Sequence, residues 1–137
     1  MQTQAPQHDP AEEKAMLDAI DVWVEKEVRP IAKKYDLADE YPHDLVEQMK
    51  ELGLFGATIS QEYGGLGLSA WTYARIVIKV ASAWMAPSGI FNSHLIMASA
   101  IERSGTEAQK RRWLPLMASG EFRGSLGLTE PNAGTDL

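Results

Sequence analysis

Met16, Leu17, Ile20, Trp23, Val24, Val28 and Ile31 fall at the three- and four-residue spacing of one buried helical face. In front of them, Asp9-Pro10-Ala11-Glu12 combines a capping carboxylate, a proline suited to the first turn and an acid three residues on. Acids crowd the start of this segment, and Lys33 and Lys34 close it, as the helix dipole favours. Pro30 lacks an N–H, so a bend or a split is expected near it. A second helix is predicted over about 42–52, with Leu45, Val46, Met49 and Leu52 inward and Gly53 as its stop.

Residues 53–69 carry Gly53, Gly56, Gly64, Gly65 and Gly67, a density that predicts turns. Helical spacing resumes over about 69–85 and 87–103. Both stretches are apolar on more than one side, which predicts central, well-buried helices. Trp71, Trp84, Phe91 and Met97 read as core packing there. Gly105 ends this run, and Thr106-Glu-Ala-Gln109 opens another helix with a capping box. Its Lys110, Arg111 and Arg112 are expected outside, its Trp113, Leu114 and Leu116 inside, and Pro115 is a candidate kink. After Gly120 the pattern turns short and extended over 122–128. A lone strand leaves its backbone unpaired and needs a neighbour. The sequence stops nine residues after Leu128. This predicts an all-α multi-helix bundle of five or six helices over 1–120, with a short β segment at the carboxyl end. Residues 121–137 read as the incomplete start of a second domain.

Composition narrows the function classes. With 137 residues, 45% of them hydrophobic and 23% charged, the chain can bury a core and is neither disordered nor fibrous. A net charge of −6, with thirteen Lys and Arg spread out, argues against a nucleic-acid partner. The lack of cysteine excludes disulfides, thiolate metal sites and a cysteine nucleophile. His8, His43 and His94 lack metal-ligand spacing, so no metal site is expected. The first ten residues resemble neither a signal nor a transit peptide, and no apolar run nears the roughly 18 residues of a membrane span. A soluble, cytoplasmic protein with no membrane partner is expected.

The segment Leu126-Gly-Leu-Thr-Glu-Pro-Asn-Ala-Gly-Thr-Asp136 closely resembles the first signature of the acyl-CoA dehydrogenase family. That signature asks for a small residue, an aliphatic one, Ser/Thr, Glu, two free positions, a small residue, Gly, Ser/Thr and Asp. Each is met from Gly127 to Asp136. Residues 53–67, GLFGATISQEYGGLG, are similar to the family's glycine-rich loop, with Ser60 and Gln61 standing where Pro and Glu are usual. Residues 105–121, GTEAQKRRWLPLMASGE, resemble the helix that follows in the family. The three occur in the family's order and spacing, and together cover about 10–137.

Pro131, Asn132, Gly134 and Asp136 predict a sharp turn with exposed backbone N–H groups, suited to an anionic or carbonyl-rich ligand. The resemblance implies that this turn lies along FAD. Thr129 would bond the isoalloxazine edge, and Leu126 and Leu128 would pack near the ring. Gly134 and Thr135 would sit beside FAD and the acyl-CoA thioester end, while Glu130 and Asp136 would shape the turn. His94 is a weaker substrate-side candidate, since a lone His on an apolar helix is more often a hydrogen-bonded core residue. The implied reaction is α,β-dehydrogenation of an acyl-CoA thioester, with electrons passing to an electron-transfer flavoprotein and homo-oligomers usual. The family's glutamate base lies far downstream, so no residue of this chain is expected to be catalytic. The chain alone is therefore expected to be inactive. Two readings compete: a non-enzymatic helical remnant that binds a partner, and an acyl-CoA oxidase or other flavin-dependent oxidase or monooxygenase of the same architecture.

Overall fold

The computed structural model describes residues 9–132. Six α-helices make up most of it: α1 (Pro10–Trp23), α2 (Arg29–Ala38), α3 (His43–Glu51), α4 (Ala70–Ala83), α5 (Met85–Ser104) and α6 (Glu107–Ala118). The Asp9 carboxylate takes the Ala11 N–H at 2.9 Å, and Pro10 occupies the first turn, where its missing N–H costs nothing. Pro30 does not break the path from α1 to α2. Val24–Val28 instead forms a π-helical turn, and the Arg29 N–H reaches back five residues to the Val24 carbonyl. Widening the helix just before the proline is how the chain absorbs the bond that Pro30 cannot make.

α5 is the spine of the molecule, packed between α4 and α6, and α4 also packs on α1. Leu17, Ile20, Val28, Met49, Phe55, Ile76, Val80, Phe91 and Leu114 share one core. Burying each such side chain contributes about 1.5–3 kcal/mol. Two buried-edge indoles orient the outer helices: Trp23 donates to Gln48 at 2.6 Å and Trp84 to Asp36 at 3.3 Å. Glu13–Arg75 at 3.2 Å and Asp21–Lys79 join α1 to α4 across the surface.

Residues 53–69 fold back on themselves through main-chain bonds. Leu66 donates to Gly56 at 2.8 Å, Gly67 to Ile59 at 2.8 Å and Leu68 to Ala57 at 2.8 Å. The turn is so tight that a Cβ on Gly65 would lie 2.0 Å from the Ile59 carbonyl oxygen. Leu54, Phe55, Ala57, Ile59 and Tyr63 of this loop are buried, so the turn region supplies core as well as connection.

Two sequence expectations change. Trp71 is not core: it is 73% exposed on the outer face of α4, with Ile78 67% exposed beside it. The second apolar side of α4 therefore faces outward, while Thr72, Ile76 and Val80 form the buried stripe. In α6 the inward residues are Leu114, Met117 and Ala118, whereas Trp113 and Leu116 are half-buried. The α6 capping box forms in both directions, Thr106 with Gln109 at 2.8 and 3.3 Å. Residues 123–129 run without secondary structure, and Glu130 carries a single isolated bridge.

Candidate functional site

Past Gly120 the chain leaves α6 and crosses the lower edge of α5. Its first residues are fixed one by one. The Phe122 N–H donates to the Leu116 carbonyl at 3.0 Å, and its ring lies 5.4 Å from that of Trp113. Arg123 reaches the turn before α3, where its guanidinium donates to the Tyr41 hydroxyl and sits 5.9 Å from the ring centroid. Gly124 lies flat on α5 and α6: an added Cβ would be 2.9 Å from Met97 Cγ and 3.1 Å from Met117 Cε. Its N–H donates to Nδ1 of His94 at 3.3 Å.

His94 is a central fixture of α5. Its ring is 1% exposed and stacks edge-on against Phe55, with centroids 5.2 Å apart. Nε2 lies 3.1 Å from the Phe55 carbonyl and 3.0 Å from the Met117 carbonyl. Two acceptors at Nε2 and a donor at Nδ1 select the neutral tautomer protonated on Nε2. Burial, the largest influence, holds the imidazole below its ordinary pKa; the two carbonyls oppose this and the nearby Arg123 charge adds to it. One ring therefore joins the 53–69 loop, the end of α6 and the root of the 122–132 segment.

Beyond Gly124 the chain is exposed. Leu126 is 46% and Leu128 57% exposed, Thr129 is exposed, and the main chain of 125–129 makes no hydrogen bond to another described residue. Backbone N–H groups with no described partner and exposed aliphatic side chains on one short segment suit a flat ligand with a polar edge and an apolar face. Gly134 and Thr135 lie outside the described residues. A groove of about 320 Å³ opens beside the root, lined by Met97, Ile101, Trp113, Met117, Phe122 and Gly124. On the other side of α5, a polar groove of about 460 Å³ contains Tyr73, Asn92, Glu102 and Arg103. There the Tyr73 hydroxyl donates to Asn92 at 2.8 Å, and burial pushes its pKa up to about 12.

Among the described residues no group of three His, Asp or Glu could hold a metal ion, and no helix is long and apolar enough to cross a membrane. The structure brings His94 to the root of the signature segment. No described contact joins His94 to the side chains of Leu126, Leu128 or Thr129, which are exposed. Sequence reasoning missed Tyr41, Arg123 and Met97, whose roles rest on contacts between residues distant in the chain. Glycine inside the extended run 122–128 was the local signal of close backbone approach, but it marked Gly124 and Gly127 alike, and only Gly124 is packed closely.

A family model for "Acyl-CoA dehydrogenase, N-terminal domain" matches residues 10–121. The chain is 39% identical over 115 residues to the short-chain specific acyl-CoA dehydrogenase of Clostridium acetobutylicum, covering 83% of this chain and 30% of that protein. The fold is similar to butyryl-CoA dehydrogenase of Megasphaera elsdenii, with TM-score 0.83 and 28% identity, over 99% of this chain and 36% of that one. It is equally similar, with TM-score 0.83 and 29% identity, to a chain in a structure of the electron transferring flavoprotein of Acidaminococcus fermentans, over 98% and 35% of the two chains. The chain thus spans about a third of the length of these relatives.

Proposed function

The chain belongs to the acyl-CoA dehydrogenase family, and on that premise we propose that it contributes the helical amino-terminal domain and the first flavin-contact segment to an α,β-dehydrogenase of acyl-CoA thioesters. One observation carries this reading: the signature segment is pinned at its root and then presents Leu126, Leu128 and Thr129 clear of the helical body. In this division, residues 1–120 form the helical domain and 121–137 open the flavin-binding β-domain.

Leu126 and Leu128 would cover one face of FAD and keep water from it. The N–H and hydroxyl of Thr129 would hold the polar edge of the ring. Gly134 and Thr135 would approach FAD and the thioester end of the substrate. When bound, FAD supplies the hydride acceptor for the β hydrogen. Glu130 shapes the turn, and no acid of this chain acts as the base that removes the α proton. An electron-transfer flavoprotein is the proposed electron acceptor, and the complete protein is proposed to form homo-oligomers.

FAD titration of the complete natural protein tests the reading. Thr129→Val and Leu128→Asp are expected to raise the FAD Kd about tenfold, the size of one lost charge-facing or packing contact. Anaerobic addition of butyryl-CoA is expected to bleach the flavin of the unaltered protein. The isolated 137-residue chain is expected to turn over no acyl-CoA. Unchanged FAD binding in both variants would sink the assignment.

A further inference from the structure

We propose that His94 is a positioning residue: its buried ring holds the root of the 122–132 segment through Gly124, and so sets where Leu126, Leu128 and Thr129 meet the flavin. The proposal rests on the flavin reading above for its consequence, but on geometry for its substance. Three separate stretches of backbone converge on one imidazole, at Phe55, Met117 and Gly124. The ring is 1% exposed and lies edge-on against Phe55. Nε2 works as a structural donor to two carbonyls. Nδ1 is the atom that faces the segment, and it accepts the Gly124 N–H at 3.3 Å.

The other anchors at the root leave this role unfilled. Phe122 is held by its N–H bond to the Leu116 carbonyl and by its ring against Trp113, and Arg123 by its side chain at Tyr41. Gly124 is the last residue before the exposed stretch 125–129 and has no side chain of its own. Its path is decided by the close approach to Met97 and by the bond to His94. A shift of its N–H would be passed directly to Leu126, because 125–129 have no other hydrogen bond to a described residue.

The two ring nitrogens can be separated by substitution in the complete protein. In His94→Gln, the amide NH2 extends to about the place of Nε2 and can serve the two carbonyls, but nothing accepts from Gly124. In His94→Asn, the amide oxygen stands near Nδ1 and can accept from Gly124, while the donor to the carbonyls is lost. Amide hydrogen exchange over 121–128 reads the root directly, FAD Kd reads its consequence, and thermal melting reads the fold. For His94→Gln, exchange is expected to quicken about fivefold, the effect of one net hydrogen bond, with FAD Kd raised by a similar factor and melting nearly unchanged. For His94→Asn, exchange and FAD Kd stay close to the unaltered protein although melting falls. Unchanged exchange in His94→Gln, or equal loss of protection in both variants, overturns the proposal. Should His94→Gln fail to fold, a loss of protection at 121–128 in His94→Asn overturns it instead, and retained protection supports it. If the unaltered protein takes up no FAD, the flavin reading fails alone, and the exchange comparison still decides the positioning role.

Discussion

Glu102 on α5 accepts two hydrogen bonds from Ser60, one from its main-chain N–H at 3.3 Å and one from its hydroxyl. A proline at position 60 could make neither bond. The φ of Ser60 is −59°, which proline also adopts. Ser60 therefore ties the loop to α5 through a carboxylate, where a proline would only stiffen it.

This gives a paired prediction. Glu102→Ala is expected to cost about 2 kcal/mol of stability, the worth of hydrogen bonds to a charged group that is partly shielded from water. In a Ser60→Pro background the same change is expected to cost about 1 kcal/mol less, since the partner bonds are already gone. Denaturant melts of the four proteins measure the coupling, and additive effects would contradict it.

Gly65 supports a harsher test. A methyl group there would meet the Ile59 carbonyl oxygen at 2.0 Å, and that oxygen is already fixed by the Gly67 N–H at 2.8 Å. Backbone on backbone leaves no flexible side chain to move. Gly65→Ala is expected to destabilise by about 3 kcal/mol, at the upper end for overpacking. Gly64→Ala, where nothing lies within 4 Å but φ is +83°, isolates the cost of backbone strain alone and is expected to cost about 1 kcal/mol.

Helix positions were legible from local spacing and caps: Asp9 and Thr106 each bond a backbone N–H at a helix start, and Ser69, which the spacing alone did not mark as a cap, does the same. What spacing could not show is which of two apolar faces is covered. Trp71 and Ile76 belong to the same apolar helix, yet one is 73% exposed and the other 1%. The π turn before Pro30 was foreshadowed only as a bend, because the sequence shows the missing donor but not how neighbouring turns relax. In the candidate site, residues Leu126 to Thr129 were legible through an ordered motif. Their support was not, since His94, Met97 and Tyr41 meet the root only after the helices have packed.

Trp71 turns that difference into a prediction. It sits in the first turn of α4, exposed, with the helix dipole positive beside it. Trp71→Asp is expected to change the unfolding free energy of the 137-residue chain by no more than the roughly 0.5 kcal/mol typical of surface changes. A core tryptophan would cost about 3–5 kcal/mol on truncation, so the two readings are easily told apart by one melt.

His94 is neutral in the folded protein, and its protonated form would set an N–H against the Gly124 N–H instead of accepting from it. Burial depresses its folded pKa below the ordinary value of 6.5. Below that pH the unfolded chain binds a proton at this site that the folded chain refuses, so unfolding is favoured by acid. The stabilising contribution is complete above about pH 6.5 and is lost as pH falls from there toward the lower folded value, at up to about 1.4 kcal/mol per pH unit. Carboxylates titrate lower and contribute in both proteins. Melts of the unaltered chain and of His94→Gln between pH 7.5 and 5 should therefore diverge, with the glutamine variant showing the shallower loss. Parallel curves would mean that the ring takes up its proton without cost to the fold.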